Sequence, residues 1–320
     1  MSRIKEKDSN NDGRSIGTNK DPCKTFYLYQ NAAENEWQYN LALLYEKGEG
    51  TEKNLEKAFY WYHKAAENGN IYAQNSLAVL YHKEENLEKA FYWYQKAAEN
   101  GHTGASCNLA YLYENGEGTE KNLEKAFYWY QKAAENEDIY AQNNLAVLYY
   151  KEENLEKAFY WYQKAAENNV KEAQFILASL YYNGEGTEKN LEKALYWYQK
   201  AAENGFEIAQ YKLAQLYENG KGIEKNLEKS FCWYQIAAEN GHVEAYFNLA
   251  TLYKDGEGIE KNLEKSFYWY QKAVENGHVE AHFNLATLYK NGEGTEKNLE
   301  KAFYWYQKLQ KMVIIMQWIV

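Results

Sequence analysis

Few residues in this chain have the types and spacing that chemistry requires. His278 and His282 stand four apart, so on one helix they would share a face and offer two imidazoles to a metal. No third ligand is placed with them, and His278 aligns with Asn70, a turn position in another part of the chain. The remaining histidines, among them His63, His82, His102 and His242, align with residues that differ freely from one copy to the next, and no Gly-x-Ser-x-Gly occurs. Gly-Glu-Gly, as at 48 to 50, has the look of a phosphate cradle. Its glutamate would sit beside the anion, however, and no Lys-Ser or Lys-Thr follows in P-loop register. The residues therefore predict no catalytic group, no metal and no cofactor.

What the sequence does contain is repetition. Asn-Leu-Glu-Lys-Ala-Phe-Tyr-Trp-Tyr-Gln-Lys-Ala-Ala-Glu-Asn occurs at 86–100, 122–136 and 154–168, with near-copies elsewhere. Trp61, Trp93, Trp129, Trp161, Trp197, Trp233, Trp269 and Trp305 mark eight units with separations of 32, 36, 32, 36, 36, 36 and 36 residues. From each tryptophan to the next unit's first alanine the distance is always 12, so length varies in one loop alone: the short units lack the four residues that carry the glycine pair. The segments 72–99 and 140–167 differ at two positions only, Ser76 against Asn144 and His82 against Tyr150, which points to duplication of a two-unit block.

Each unit reads as two helices. From Leu55, the residues Ala58, Phe59, Tyr62, Ala65 and Ala66 gather on one side of a helix B, with Asn54 as N-cap, Glu56 in the first turn and Gly69 as stop. Helix A runs from about Ile71 to His82 with Ala73, Leu77, Leu80 and Tyr81 on one face, and a glycine pair such as Gly48 and Gly50 supplies its exit. A single pair cannot cover its own apolar stripe, so the units must stack. One proline, Pro22, in 320 residues suits a chain that is helical throughout.

The composition narrows the partners. A formal charge of −10, with acidic residues in every unit, leaves no basic stripe for a phosphate backbone, so nucleic acid is not expected. No apolar run reaches the ~20 residues that span a bilayer, so no membrane span is expected. Cys23, Cys107 and Cys232 have neither paired spacing nor a metal pattern, and the first 21 residues lack the apolar core of a secretory signal; both fit a cytoplasmic compartment.

Leu-Tyr-x-x-Gly-x-Gly, then Asn-Leu-Glu-Lys-Ala, then Trp-Tyr-x-Lys-Ala-Ala-x-x-Gly resembles the Sel1-like repeat, a relative of the tetratricopeptide repeat. The resemblance covers about 24–310 and implies an all-α, right-handed α-solenoid of antiparallel helix pairs. It also implies a scaffold or adaptor for protein or peptide partners in signalling or complex assembly, rather than an enzyme. Two other roles belong to relatives: a repeat module that regulates an attached kinase, for which no Gly-rich loop, His-Arg-Asp or Asp-Phe-Gly is present here, and a cysteine-rich hydrolase branch, which three scattered cysteines do not match. The expected organisation is a disordered arm at 1–23, a solenoid at 24–310 of about eight repeats preceded by a half-repeat cap, and an apolar tail at 311–320. In the cap, Phe26 to Asn35 resembles a degenerate helix B with Leu28 in the tryptophan's place.

Two stripes are candidate surfaces. On helix B, Tyr60, Tyr92, Tyr128, Tyr160, Tyr196, Cys232, Tyr268 and Tyr304 project away from the apolar face and are expected to be exposed. A chain with 33 tyrosines and two arginines, Arg3 and Arg14, also reflects AT-rich codons, which weakens that stripe as a site. On helix A the column Tyr39, Asn75, Cys107, Asn143, Phe175, Tyr211, Phe247 and Phe283 becomes aromatic from Phe175 onward. Helix A surfaces differ between units while helix B segments are near-copies, so Phe175, Tyr211, Phe247 and Phe283 are the expected protein-binding anchors on the concave side, with packing of helix A on its neighbour as the competing reading. The tail Met312 to Val320 replaces the Ala-Ala-Glu-Asn-Gly ending and is expected to fold back on the last pair or to mediate self-association.

Overall fold

In the computed structural model the residues described are 22–32 and 35–319. Among them every regular element is an α-helix, 17 in all, and no strand occurs. The chain divides after Glu153 into two compact units. The first holds α1 (Pro22–Ala32), α2 (Asn35–Lys47), α3 (Leu55–Glu67), α4 (Ile71–Lys83), α5 (Leu87–Glu99), α6 (Thr103–Asn115), α7 (Leu123–Glu135) and α8 (Ile139–Lys151). The second holds α9 (Leu155–Glu167), α10 (Lys171–Asn183), α11 (Leu191–Glu203), α12 (Glu207–Asn219), α13 (Leu227–Glu239), α14 (Val243–Asp255), α15 (Leu263–Glu275), α16 (Ala281–Asn291) and α17 (Leu299–Ile319). Within each unit every helix packs on the next in sequence, so each is an α-solenoid of stacked helix pairs.

Helix boundaries follow from capping. The Asn54 side chain accepts from the Lys57 amide at 2.9 Å, and Asn122, Asn190, Asn226, Asn262 and Asn298 do the same at the start of their B helices. Helix A is one residue longer than expected, ending at Lys83. The glycine pair has two separate jobs. Gly184 takes the left-handed conformation that ends α10. Gly186 is needed for space as well, because a Cβ there would collide with the carbonyl of Leu155 at the start of α9. Each long loop thus clamps the N-terminus of the preceding B helix.

The core is a ladder of small and large side chains. Ala58, Tyr62, Ala65 and Ala66 of α3 and Ala73, Leu77 and Ala78 of α4 are buried, and their counterparts repeat along the chain. The alanines let helices approach closely, and the tyrosine fills the space between them. On the flank, Phe59 meets Tyr81 edge-to-face at 5.3 Å, as Phe91 meets Tyr113 and Phe231 meets Tyr253. The tryptophan that marks the repeat is only half-buried, and the tyrosine after it is the residue in the core.

Buried glutamines tie three consecutive helices together, a feature the sequence pattern does not show. Gln210 Nε2 donates to the Ala202 carbonyl at the end of α11, and its Oε1 accepts from Asn240 Nδ2 at the end of α13, at 3.0 and 2.9 Å. Gln174 spans Ala166 and Asn204 in the same way.

Both ends depart from the regular pair. α1 is a B-type helix, since Phe26 is buried and meets Tyr45 edge-to-face at 5.3 Å. The side chain of Leu28, like residues 1–21 of the expected disordered arm, lies outside the described residues. At the other end the tail does not turn back: α17 runs on through it to Ile319. Leu309-Gln310-Lys311-Met312 stands where other B helices have Ala-Ala-Glu-Asn, so no stop signal interrupts the helix.

Candidate functional site: the A-helix face of the second unit

The four anchors expected from the sequence lie at one register position of α10, α12, α14 and α16, and each is positioned by the repeat that follows it. The Phe175 ring centroid is 5.5 Å from that of Tyr198 and 5.4 Å from that of Phe206. Tyr211 lies 5.6 Å from Tyr234 and stacks on His242 at 4.3 Å with the planes 16° apart. Phe247 repeats this with Tyr270 and, at 4.4 Å and 8°, with His278. Phe283 approaches Tyr306 at 5.7 Å and is 53% exposed. Phe175, Tyr211 and Phe247 are therefore half-buried rings that join one repeat to the next while leaving an edge at the surface. In the first unit Tyr39 approaches Tyr62 and Tyr72, but Asn75, Cys107 and Asn143 supply no ring.

Polar groups line the same face. The B-helix tyrosines turn their hydroxyls toward the preceding A helix: buried Tyr198 to Ser179 at 2.9 Å, Tyr234 to Glu218 at 2.8 Å and Tyr270 to Thr251 at 2.9 Å, and half-buried Tyr306 to Thr287 at 3.0 Å. Burial pushes the Tyr270 phenol up to about 12. The Tyr211 hydroxyl accepts from Gln215 at 3.1 Å and from Asn248 at 3.4 Å. The first unit breaks this pattern once. Tyr94 is fully buried and its hydroxyl has no partner, because Val79 stands where Ser179 and Thr251 do, and His82, where Glu218 does, turns to Glu117 at 3.4 Å.

The two spaced histidines are occupied in other ways. His278 Nδ1 accepts at 3.2 Å from the amide of Ala281, the first residue of α16, while buried His282 directs Nδ1 to the His278 and Val279 carbonyls. Among the described residues no group of three or more His, Cys, Asp or Glu is placed to hold a metal. A cleft of about 440 Å³ beside α13 is lined by Phe231, Gln235, Tyr253, Ile259, Glu260, Lys261, Asn262 and Lys265, with no serine, cysteine or histidine among them. No helix of the described residues is long and apolar enough to cross a membrane.

The B-helix stripe is exposed as the helical wheel predicts. Tyr60, Tyr92, Tyr128, Tyr160, Tyr196, Tyr268 and Tyr304 are 50 to 59% exposed, and Cys232 is exposed in line with them. Each of these tyrosines stands edge-to-face on the following tryptophan, as Tyr196 does on Trp197 at 5.1 Å.

The sequence profile of the Sel1 repeat matches nine segments: 11–37, 38–70, 71–102, 104–138, 139–170, 171–206, 208–242, 243–278 and 279–309. The first of these matches, 11–37, overlaps the segment expected from the sequence to be a half-repeat cap. Among solved structures, c5321, a protective antigen of uropathogenic Escherichia coli strains displaying an SLR fold, superposes with a TM-score of 0.76 at 29% identity, over 91% of this chain and 73% of its own. A Sel1 repeat protein from Oxalobacter formigenes superposes with a TM-score of 0.62 at 34% identity, over 74% of this chain and 96% of its own. No curated protein sequence matches the chain. With nine repeat matches along a chain of consecutive helix pairs, the chain belongs to the Sel1 repeat family.

Proposed function

We propose that this protein is a non-enzymatic scaffold that binds protein or peptide partners through the A-helix face of its second unit, acting in complex assembly or signalling in the cytoplasm. One observation carries the reading: Phe175, Tyr211, Phe247 and Phe283 form a column of aromatic rings held rigid by neighbouring repeats yet open at one edge, beside polar side chains that differ from repeat to repeat. Rigid, partly exposed rings lose little entropy on binding, and aromatic anchors usually dominate interface energy. The Sel1 repeat architecture supports the same reading, since stacked helix pairs present extended surfaces suited to other chains.

The test pairs binding with stability. Three of the rings join repeats, so Phe175→Leu, Tyr211→Leu and Phe247→Leu, combined with Phe283→Ala, keep apolar volume in the stack while removing the aromatic surface. Partners captured by the wild type should be lost from the variant while its melting temperature stays within a few degrees. Undiminished capture by a folded variant places binding elsewhere.

A further inference from the structure

The A helices of the second unit begin with carboxylates that the first unit lacks at the same place. Glu207 opens α12, Glu244 is the second residue of α14, and Glu280 immediately precedes α16. In the first unit α4, α6 and α8 have no acidic residue in the first turn, and Asp138, ahead of α8, is buried and accepts from the Tyr140 and Ala141 amides. The second unit's glutamates are open. Glu244 and Glu280 are exposed, Glu207 is half-buried, and no lysine or arginine among the described residues forms an ion pair with any of them.

These carboxylates flank the rings of the anchor column. His242 stacks on Tyr211 and stands 3.6 Å from the Glu244 carboxylate, with Glu207 the next charge near it. His278 stacks on Phe247 and stands 3.5 Å from the Glu280 carboxylate, with Glu244 the next charge and His282 beyond it. Burial holds both imidazoles below the ordinary histidine value, so at neutral pH they are uncharged and leave the glutamates unneutralised. The lysines of these helices lie away from the row. Lys254 and Lys290 come ten residues after Glu244 and Glu280, about 15 Å along the helix, and Lys212 sits over the Tyr182 ring.

Open ring edges beside unneutralised carboxylates select the occupant. An acidic or phosphorylated segment is repelled, and a wholly apolar one would strip water from three carboxylates without giving them a partner. Arginine answers both features, because its guanidinium is planar, binds a carboxylate through two parallel hydrogen bonds and stacks on aromatic rings. Tyr211 packs against the cluster that holds Ala245 and Leu249, so α12 and α14 are in contact. Packed helices lie about 8–10 Å apart, and a polyproline-type segment returns to the same side every third residue, after about 9 Å. Arginines at every third position therefore reach successive A helices. We infer that the partner segment is an extended basic peptide whose arginines pair with Glu207, Glu244 and Glu280 while their stems lie on the open edges of Tyr211 and Phe247, a partner chemistry that rests on the A-helix face being the binding surface.

Fluorescence anisotropy of a fluorescein-labelled peptide, Arg-Ala-Pro-Arg-Ala-Pro-Arg, titrated with the full chain at physiological salt tests it. The peptide should bind, and the same peptide with glutamate in place of arginine should not. Joint substitution Glu207→Gln, Glu244→Gln and Glu280→Gln should weaken binding about tenfold or more. Glu228→Gln, Glu264→Gln and Glu300→Gln remove the same charge from exposed first turns of B helices and should change binding by less than about twofold, because scattered surface charges contribute little. None of the six positions is in the core, so both variants should keep the wild-type circular dichroism. An arginine peptide that does not bind, binding that survives the first substitution, or equal losses from the two would each overturn the inference. A peptide that does not bind, with native partners still lost from the ring variant, leaves the A-helix face standing with another partner chemistry; a ring variant that keeps its native partners removes both.

Discussion

Replacing Tyr234 by alanine should destabilise the second unit far more than replacing its neighbour Trp233, although tryptophan is the larger side chain and the marker of the repeat. Both changes put alanine into the middle of α13, so helix propensity nearly cancels between them. Both fall in one repeat, so coupling to neighbouring repeats cancels as well. What differs is burial. Tyr234 has no exposed surface, lies in a cluster with Ala214, Ala237, Ala245 and Leu249, and donates to Glu218 at 2.8 Å. Its removal leaves a cavity among residues already in contact, at a cost of about 3–5 kcal/mol. Trp233 packs against the rim of the same cluster with one side in solvent, so its removal costs about 1–2 kcal/mol of lost burial and opens no closed cavity. Urea denaturation followed by far-ultraviolet circular dichroism, which does not depend on the deleted indole, measures the difference. Equal losses, or a larger loss at Trp233, would refute the assignment of the core to the tyrosine ladder.

Other outcomes follow from single groups. Tyr94→Phe should leave stability unchanged or raise it by about 1 kcal/mol, because the hydroxyl removed is buried without a partner, whereas Tyr234→Phe should cost about 1 kcal/mol by breaking its bond to Glu218; chemical denaturation of the two variants separates them. Glu137 adopts φ 63° where other repeats have glycine, so Glu137→Gly should stabilise the first unit by about 1 kcal/mol in the same measurement. Stability should also fall with mild acid. Burial holds His102, His242 and His278 below the ordinary histidine value, outweighing carboxylates such as Asp138, Glu244 and Glu280, and Nδ1 of His102 and His278 accepts a helix N-terminal amide that protonation would repel. The unfolded chain then binds more protons, so stability is complete above about 6.5 and is lost as the pH drops through the lower folded values. Melting temperatures between about pH 7.5 and 5 should decline less steeply in His102→Asn and His278→Asn, which restore the side chain that caps α4 at Asn70.

The features legible in the sequence are those that local chemistry determines. Asn54, Glu56 and the Asn68-Gly69 stop delimit a helix with almost no help from its surroundings, and the wheel from Leu55 places Tyr62 inside and Tyr60 outside as found. Tryptophan marks the repeat by its spacing, while its angle on the wheel, about 100° from Tyr62, puts it at the edge of the apolar face. What the sequence did not reveal depends on how one pair is rotated against the next. The Gln210 bridge between α11 and α13, the stacking of His242 on Tyr211, and the collision that only glycine avoids at Gly186 join residues about 30 positions apart or more, and no period or local propensity encodes them. The anchor column was found by its variation between repeats, but its double character, part packing and part surface, needed the neighbouring repeat in place. The tail, expected to fold back on the last pair or to self-associate, instead continues α17 to Ile319, where the Asn-Gly stop of other B helices is missing.

Contact mapping in the cell of origin tests the central claim most directly. A photoreactive benzoyl-phenylalanine placed at position 283, on the A-helix face, and separately at position 196, on the exposed B-helix stripe, reports which surface another protein touches. The two side chains are almost equally exposed, at 53 and 52%, so accessibility does not bias the comparison. Light should yield a discrete adduct with a partner protein from position 283 and none from position 196. An adduct from position 196 alone, or from neither position while the untouched protein still co-purifies with a partner, would contradict recognition through the A-helix face.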